Sequence, residues 1–405
     1  MRTTLNAKFF FKHQLPQSVK FFCLGYGSSV TLVLTHGSLI VWMMENKIDL
    51  SSIGFWSWVT FPYCIKFLWG LVIDYYKFLI IRRKEFLYCI LQVFNMCLLI
   101  TLSFFNPDNI KFFFIICIFS CLFSSIQDVI IDSIRLQTVE KSNIAKIASF
   151  ESIGFKLGLI LCGAGVLYMA EYSSWKYSYI LFSLSCMVGS LCMIFIPSST
   201  NEIKSNNNSA FFANVWELVW RKEMWAFIAF VFLFKFSISS LTVLTSSFLL
   251  KMSFSKVEIA SISKIFGVGM MIFGSYLGGI LISDFNKRKI AIICFILQCI
   301  SCLLFFSYVN KTSFIYLIVG FECFTSGICN TLIISIISFF CKKEMPATEY
   351  SFIYSFCSLS KIISLNIAGV VVDTWGWQPL FLFLILPPLL SILTLMTWKK
   401  IKAIA

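Results

Sequence analysis

Charged side chains interrupt several long apolar stretches of this sequence. In one stretch Asp128, Asp132 and Arg135 are spaced i, i+4 and i+7, which places all three on one helical face. An arginine beside two carboxylates can keep one of them ionised while the other gains and loses a proton. The spacing therefore predicts a proton-handling cluster, and a static charge cluster near a membrane surface remains the alternative.

Lysines also occur inside apolar stretches, where a charge is costly and usually marks a functional site. Lys235 is followed by Ser239, Thr242 and Ser246 at i+4, i+7 and i+11, a polar stripe that predicts a water-filled cavity. Lys66 is expected to extend to the membrane surface, as long basic side chains do. The candidate binding residues are Gln127, Glu151, Lys156, Lys235, Lys264 and Lys361.

Glu322 is the remaining acid in an apolar stretch, and it is expected to tune the two aspartates or to pair with a lysine. Counted together, the interior lysines and Arg135 outnumber the four interior acids. A cavity with surplus positive charge favours an anionic ligand. The sequence therefore predicts a binding site for a small anionic molecule.

The elements that position these residues are membrane-spanning helices. Of the 405 residues 59% are hydrophobic and 13% are charged, about half the charged share of a soluble protein. Long apolar stretches are typical of helices that cross a lipid bilayer. The predicted helices are residues 19–44, 51–73, 86–105, 111–135, 148–170, 177–196, 225–250, 259–284, 289–308, 313–340, 348–373 and 377–397.

A polar segment between the sixth and seventh helices divides the chain into two groups of six. The predicted fold is an all-α membrane protein of twelve transmembrane helices in two six-helix bundles. Residues 1–196 form the first bundle, residues 197–224 a cytoplasmic central loop, and residues 225–405 the second bundle.

The two halves share a loop design that predicts a parallel repeat. After the second helix come Gly70, Asp74 and the basic pair Arg82 and Arg83, and after the eighth come Asp284 and another basic cluster. Parallel six-helix repeats are the signature of major facilitator transporters. We interpret Gly70, Asp74, Arg82, Arg83 and Asp284 as a gating loop, and a loop that only sets topology is the alternative.

The distribution of basic residues predicts the orientation of the chain. With both termini in the cytoplasm, most lysines and arginines of the short loops face that side, as the positive-inside rule requires. This explains the net charge of +14 without a nucleic-acid partner. The cysteines lie mostly in apolar stretches, so we expect no disulfide framework and no metal site. Only 2 histidines are present and no DxD motif occurs, which disfavours a membrane transferase.

At these residues the chain resembles the AmpG-type muropeptide permeases of the major facilitator superfamily. The stretch from Ile48 to Phe55, with Tyr63, Lys66 and Asp74, is similar to the second-helix signature of that family. Further similarities are Gln127-Asp128 with Asp132 in the fourth helix, Lys235 with Thr245 to Leu249 in the seventh, Phe321-Glu322 in the tenth and Ala347-Thr348 in the eleventh.

The resemblance implies import of anhydromuropeptides, products of cell-wall turnover, from periplasm to cytoplasm, driven by the proton gradient. Asp128, Asp132, Arg135 and Glu322 are then the proton-coupling residues, and the lysines attract the carboxylates of the substrate. Related permeases carry other solutes, so acetyl-CoA, a nucleotide or a drug is the alternative. We expect a monomer in the bacterial inner membrane, no enzymatic activity, and no cofactor other than the coupling proton.

Overall fold

The computed structural model describes residues 16–46, 56–75, 84–107, 109–195, 215–254, 256–308, 312–341 and 345–397. Helices and short turns make up these ranges, which contain no β-strand. The second half of the predicted central loop includes a short helix at 215–220. Residues 196–214, which contain the polar segment between the two predicted bundles, lie outside the described ranges.

Twelve long helices, α1 to α12, follow one another along the described part of the chain. The first six are α1 (Gln17–Leu32, the π-helical Val33–Gly37 and Ser38–Glu45), α2 (the 3-10 helix Trp56–Tyr63 and Lys66–Tyr75), α3 (Lys84–Leu102), α4 (Ile110–Thr138), α5 (Ile144–Tyr172) and α6 (Trp175–Ser185 and Met187–Ile194).

The second six helices are α7 (Lys222–Lys251), α8 (Lys256–Ile259, the π-helical Ala260–Phe266 and Gly267–Asp284), α9 (Lys287–Phe306), α10 (Thr312–Phe340), α11 (Pro346–Trp375) and α12 (Trp377–Phe383 and Leu386–Thr397). We call α1–α6 the N half and α7–α12 the C half.

Eleven of these helices are long and apolar enough to cross a membrane. The exception is α2, whose described part contains Pro62 in a 3-10 segment and is divided by a turn at Cys64 and Ile65. The described part of the chain is thus all-helical, with two successive groups of six helices, as predicted. Several helices extend a few residues beyond their predicted ends because the apolar pattern does not register the polar first turn, as at Lys222 in α7.

Local sequence explains where several helices begin and end. Asn286 caps α9, since its side-chain oxygen accepts hydrogen bonds from the backbone N–H groups of Arg288 at 2.9 Å and Lys289 at 3.4 Å. Pro346 opens α11, where its missing N–H group has no cost. Gly376 ends α11 with φ of 88°, a conformation that suits glycine.

Glycine allows the closest approaches between helices within each half. In the N half a side chain at Gly154 would collide with the backbone of Phe22, so α1 and α5 pack backbone against backbone. In the C half Gly274 packs in the same way against the backbone of Phe324, which joins α8 to α10. Such contacts are typical of membrane bundles, where packing replaces the hydrophobic effect.

The hydrophobic cores show where the two halves meet. One core includes residues of both halves, such as Ile134 and Ala145 with Ile282 and Tyr350. It lies where α2, α4, α8 and α10 end and α5 and α11 begin, which we call the basic end because Lys84, Lys146 and Lys289 are there. Toward the opposite end each half has a core of its own. The halves are therefore joined at the basic end and separate at the other.

Candidate functional site

Four charged side chains of the N half form one connected cluster. The Arg135 guanidinium donates to Asp132 at 2.6 Å and also forms an ion pair with Glu151 of α5. Lys66 of α2 lies 3.5 Å from the other carboxylate oxygen of Asp132. The guanidinium is 1% exposed, so these ion pairs lie in the protein interior. The cluster joins α2, α4 and α5 and contains two cations and two carboxylates, which compensate each other.

Asp128 lies one turn along α4 from this cluster but has a different partner. Its carboxylate accepts a hydrogen bond of 2.5 Å from the Ser28 hydroxyl of α1. The shared face predicted for Asp128, Asp132 and Arg135 is thus present, yet only Asp132 contacts the arginine. Of Asp128, Asp132 and Glu151, Asp128 is the one that has no ion pair among the described residues.

The side chains of Gln127 and Glu151 contact neighbouring helices of the N half. The Gln127 side chain is buried and donates to Gln92 and to the Tyr88 carbonyl, both on α3. A position next to Asp128 is rotated by about 100° around the helix, so its side chain points at a neighbouring helix. Glu151 is ion-paired with Arg135. Their role in substrate binding stays a prediction.

Lys66 corrects a further expectation, because it does not extend to the membrane surface. Its side chain is 4% exposed and its ammonium lies 4.0 Å from the centre of the Tyr354 ring on α11. Arg135 stands over the ring of Tyr350 at 5.2 Å. Asp132 explains why Lys66 stays inside, since a carboxylate partner offsets the loss of water around a buried ammonium. Lys66 and Arg135, the two cations of the cluster, therefore both contact aromatic rings of the C half.

Lys235 and Glu322 of the C half have neutral partners among the described residues instead. The Lys235 ammonium donates to the side-chain oxygen of Asn330 at 2.5 Å. Glu322 accepts hydrogen bonds from the Thr242 hydroxyl at 2.8 Å and the Ser326 hydroxyl at 2.7 Å, and its other oxygen contacts the Cys323 thiol.

No lysine among the described side chains pairs with Glu322, and its described partners all lie in the C half. The polar stripe of α7 accounts for this, because Thr242 supplies a donor at the depth of Glu322. Among the described side chains, the Thr242 and Ser326 hydroxyls thus donate to the Glu322 carboxylate, where a lysine ammonium was expected.

Two further lysines lie between the halves. The Lys156 ammonium of α5 donates to the Ser275 hydroxyl and, at 3.3 Å, to the Met271 carbonyl, both on α8. Lys361 of α11 is exposed although it lies in the middle of its helix, and its charge interacts with His36 of α1. It therefore faces the gap between the halves. The Lys264 side chain lies outside the described part of the structure.

The gating loop predicted after α2 makes direct contact with the C half. The Asp74 carboxylate accepts hydrogen bonds from the backbone N–H of Thr348 at 2.7 Å and from its hydroxyl at 2.9 Å. Thr348 lies in the first turn of α11, whose free N–H groups attract negative charge. Lys84 lies 3.6 Å from the same carboxylate. Gly70 packs against the Ala347 carbonyl, so the last turns of α2, which contain Gly70 and Asp74, close the basic end.

The repeat-related position in the C half does not make the equivalent contact. Asp284 is exposed and accepts a hydrogen bond of 2.8 Å from its neighbour Ser283. The corresponding helix, α5, starts after Asn143. Close packing of Gly279 against Ser149 joins the halves here instead. Asp74 thus contacts the other half and Asp284 has no such contact among the described residues, their gating role stays a prediction, and Arg82 and Arg83 lie outside the described residues.

The sequence analysis missed several partners of the predicted residues. Tyr350 and Tyr354 stand at i and i+4 on the face of α11 that also carries Lys361, and this spacing was the available signal. Ser28, Ser275, Thr348 and Asn330 are small polar residues in apolar helices, a pattern too common to single them out. Only the packing of helices from different parts of the chain selects them.

This arrangement can attract an anion between the halves. Lys156, Lys235 and Lys361 contact no carboxylate in the described part of the chain. An ammonium held by neutral groups keeps most of its attraction for a negative ligand in a low-dielectric cleft. Lys361 is reachable from the open side, and Lys235 is half-buried next to the half-buried Asn330.

Comparison with known proteins agrees with this architecture. The family model of the Major Facilitator Superfamily matches residues 21–281 and 253–403. The AmpG 1 protein of Rickettsia bellii is 27% identical over 395 residues, covering 93% of this chain and 96% of the relative. The AmpG 3 protein of Rickettsia typhi is 30% identical over 384 residues, covering 89% and 90%. Both relatives are named as transporters, and neither name gives a substrate.

A solved structure shares the fold. The proton:xylose symporter XylE, bound to 6-bromo-6-deoxy-D-glucose, aligns with a TM-score of 0.70, covering 98% of this chain and 96% of the symporter. The sequences are 13% identical, so this likeness establishes the fold alone.

Proposed function

Because the chain belongs to the Major Facilitator Superfamily and to its AmpG-type transporters, we propose that it imports anhydromuropeptides from periplasm to cytoplasm, coupled to protons. Membership makes it a multi-pass membrane transporter and not an enzyme. The single observation that carries the anionic substrate is the set of three lysines, Lys156, Lys235 and Lys361, whose contacts in the described structure are all neutral. A cell-wall peptide has free carboxylates that can provide the missing negative charge.

The proposed orientation places the basic end in the cytoplasm, in keeping with the positive-inside rule. The described conformation is then closed to the cytoplasm and open to the periplasm, the state in which an importer receives its substrate. Lys361 meets the incoming anion first, because it is the most exposed of the three lysines. Rocking of one half against the other would open the cytoplasmic side next.

Proton coupling is proposed to use the acids of the interior. Asp128 is hydrogen-bonded to Ser28 and has no ion pair, so a proton can bind there without breaking one. Asp132 and Arg135, one turn away, respond to the change in charge. Glu322 is a second proton-binding candidate, since its partners are hydroxyl and thiol groups that also fit a protonated acid.

The test is uptake of labelled anhydromuropeptide into proteoliposomes containing the full chain, with and without an inward proton gradient. We expect uptake that the gradient accelerates, a loss of that acceleration in Asp128→Asn or Asp132→Asn, and weaker substrate binding in Lys235→Ala. Empty liposomes and a proton ionophore are the controls. Absence of uptake by the wild-type protein contradicts the substrate, and unchanged behaviour of all three variants contradicts the site.

A second candidate is another anionic solute, such as acetyl-CoA or a nucleotide. Lysine binds phosphate as readily as carboxylate, so the lysines favour an anion without selecting its kind. Competition separates the two: excess acetyl-CoA or nucleotide would suppress uptake of the labelled anhydromuropeptide only if it binds the same site.

A further inference from the structure

The contact between the two halves contains no ion pair in the described part of the chain. Lys66, Asp132, Arg135 and Glu151 pair among themselves within the N half, and so do Lys84 and Asp74. Other contacts across the basic end are hydrogen bonds, such as those from Thr348 to Asp74, and close helix packing. In this part of the chain, cations of the N half contact aromatic rings of the C half.

Two tyrosines of α11 receive the cations of the N half. The Lys66 ammonium lies 4.0 Å from the ring centre of Tyr354 and 5.9 Å from that of Tyr350, and the Arg135 guanidinium lies 5.2 Å from Tyr350. The two rings are nearly parallel, with centres 5.8 Å apart and planes at 14°. Tyr350 is buried and Tyr354 half-buried, so water competes little for either cation.

We propose that Tyr350 and Tyr354 are positioning residues that hold the basic end closed by cation–aromatic contact and release the cations intact when it opens. The proposal rests on the proposed alternating access of the two halves. When the halves part, Lys66 keeps Asp132 and Arg135 keeps Asp132 and Glu151, because all four belong to the N half. Opening therefore leaves each of these four charges with its ion-pair partner.

The physical advantage lies in the comparison with an ion pair across the interface. Separating such a pair would leave two unpaired ions in the interior, which is strongly unfavourable. A cation–aromatic contact is weaker and directional, and its loss changes an equilibrium by about two- to thirtyfold when water is excluded. This strength suits a contact that must form and break in every transport cycle.

The same cations belong to the cluster proposed to respond to the proton. Lys66 and Arg135 contact Asp132 on one side and the tyrosine rings on the other, so they connect the acids to the interface. The tyrosines thus extend the proposed coupling site into the C half.

Hydrogen–deuterium exchange of the full-length protein in nanodiscs, without any substrate, tests the proposal. Tyr354→Leu removes the aromatic ring, whereas Tyr354→Phe keeps it and removes only the hydroxyl. A third variant carries 3,4,5-trifluorophenylalanine at position 354, which keeps the shape of Phe but withdraws the negative charge from the ring face. We expect exchange at 144–150 and 346–352 to rise about two- to thirtyfold for leucine and for the fluorinated ring, and to stay unchanged for Phe.

Tyr276 provides the matched control, since it contacts Phe150 across the halves with ring centres 6.4 Å apart and receives no cation among its described contacts. In Tyr276→Leu, and in the variant with the fluorinated ring at position 276, hydrogen exchange at 144–150 and 346–352 should not rise by the factor expected for the variants at position 354. Equal exchange for Phe and the fluorinated ring at 354, with all variants folded by size-exclusion chromatography, would overturn the proposal. Because no substrate enters this assay, a failure of anhydromuropeptide uptake bears on the proposed function alone.

Discussion

The Arg135 cluster of the N half and the charged residues Lys235 and Glu322 of the C half have opposite kinds of partner. In the N half, Arg135 and Lys66 neutralise Asp132 and Glu151 through direct ion pairs. In the C half, Lys235 contacts an amide and Glu322 contacts hydroxyl and thiol groups.

A neutralised cluster has little attraction for an ion from outside, whereas a lysine on an amide can still bind an anion. The comparison therefore favours a division of roles, with proton response at the Arg135 cluster of the N half and substrate attraction at Lys235 and Lys361 of the C half, joined by Lys156 of α5.

Arg135 should show the largest effect, because it compensates two carboxylates at once. Arg135→Met leaves Asp132 with Lys66 alone and Glu151 without an ion pair, so we expect the free energy of unfolding to fall by about 3–5 kcal/mol. Thermal unfolding in detergent measures this. The triple variant with Asp132→Asn and Glu151→Gln should regain much of the loss, and a single variant as stable as wild type would contradict the role of the cluster.

Asp74 and Asp284 test the comparison at repeat-related positions. Asp74→Ala removes two hydrogen bonds to Thr348, one of them to the α11 backbone, and should weaken closure of the basic end by about 1.5–3 kcal/mol. Asp284→Ala removes an exposed carboxylate and should change closure by less than about 0.5 kcal/mol. Hydrogen exchange at 346–352 reports the difference. Equal effects would show that the two loops are equivalent in function.

Lys235 tests the C half, where we expect a change in binding and little change in stability. Lys235→Gln leaves Asn330 next to another amide, so folding should be nearly unaffected, while the KM for an anionic substrate should rise about tenfold. Saturation curves of uptake provide the measurement, with Lys235→Arg as the control that keeps the charge. A large loss of stability with an unchanged KM would assign Lys235 to structure instead.

Glu322→Gln should have the smallest effect on stability. The amide oxygen of glutamine can accept the same hydrogen bonds from Thr242 and Ser326, so the free energy of unfolding should change by less than about 1 kcal/mol. If Glu322 takes part in proton coupling, acceleration of uptake by the proton gradient is lost while exchange of labelled for unlabelled substrate continues. If the proton gradient still accelerates uptake by Glu322→Gln, proton coupling would be assigned to the acids of the N half.

The sequence was a good guide to the elements and a partial guide to the site. The apolar stretches predicted the all-helical architecture because a lipid environment admits few other structures. The spacing of Asp132 and Arg135 predicted an ion pair, since a helix fixes the distance between positions i and i+3. The spacing did not show that Gln127 contacts α3, because the residue next to Asp128 points in a different direction from the helix axis.

The sequence by itself determined which residues carry charge in the membrane and how those on one helix are placed relative to each other. Only the tertiary structure decided which helix each of them meets: Lys66 with Asp132, Asp74 with the start of α11, and the tyrosines with the cations. Spacing within a helix is set by local hydrogen bonds, which repeat with the chain. Contacts between helices depend on packing over the whole bundle, and no local pattern contains that information.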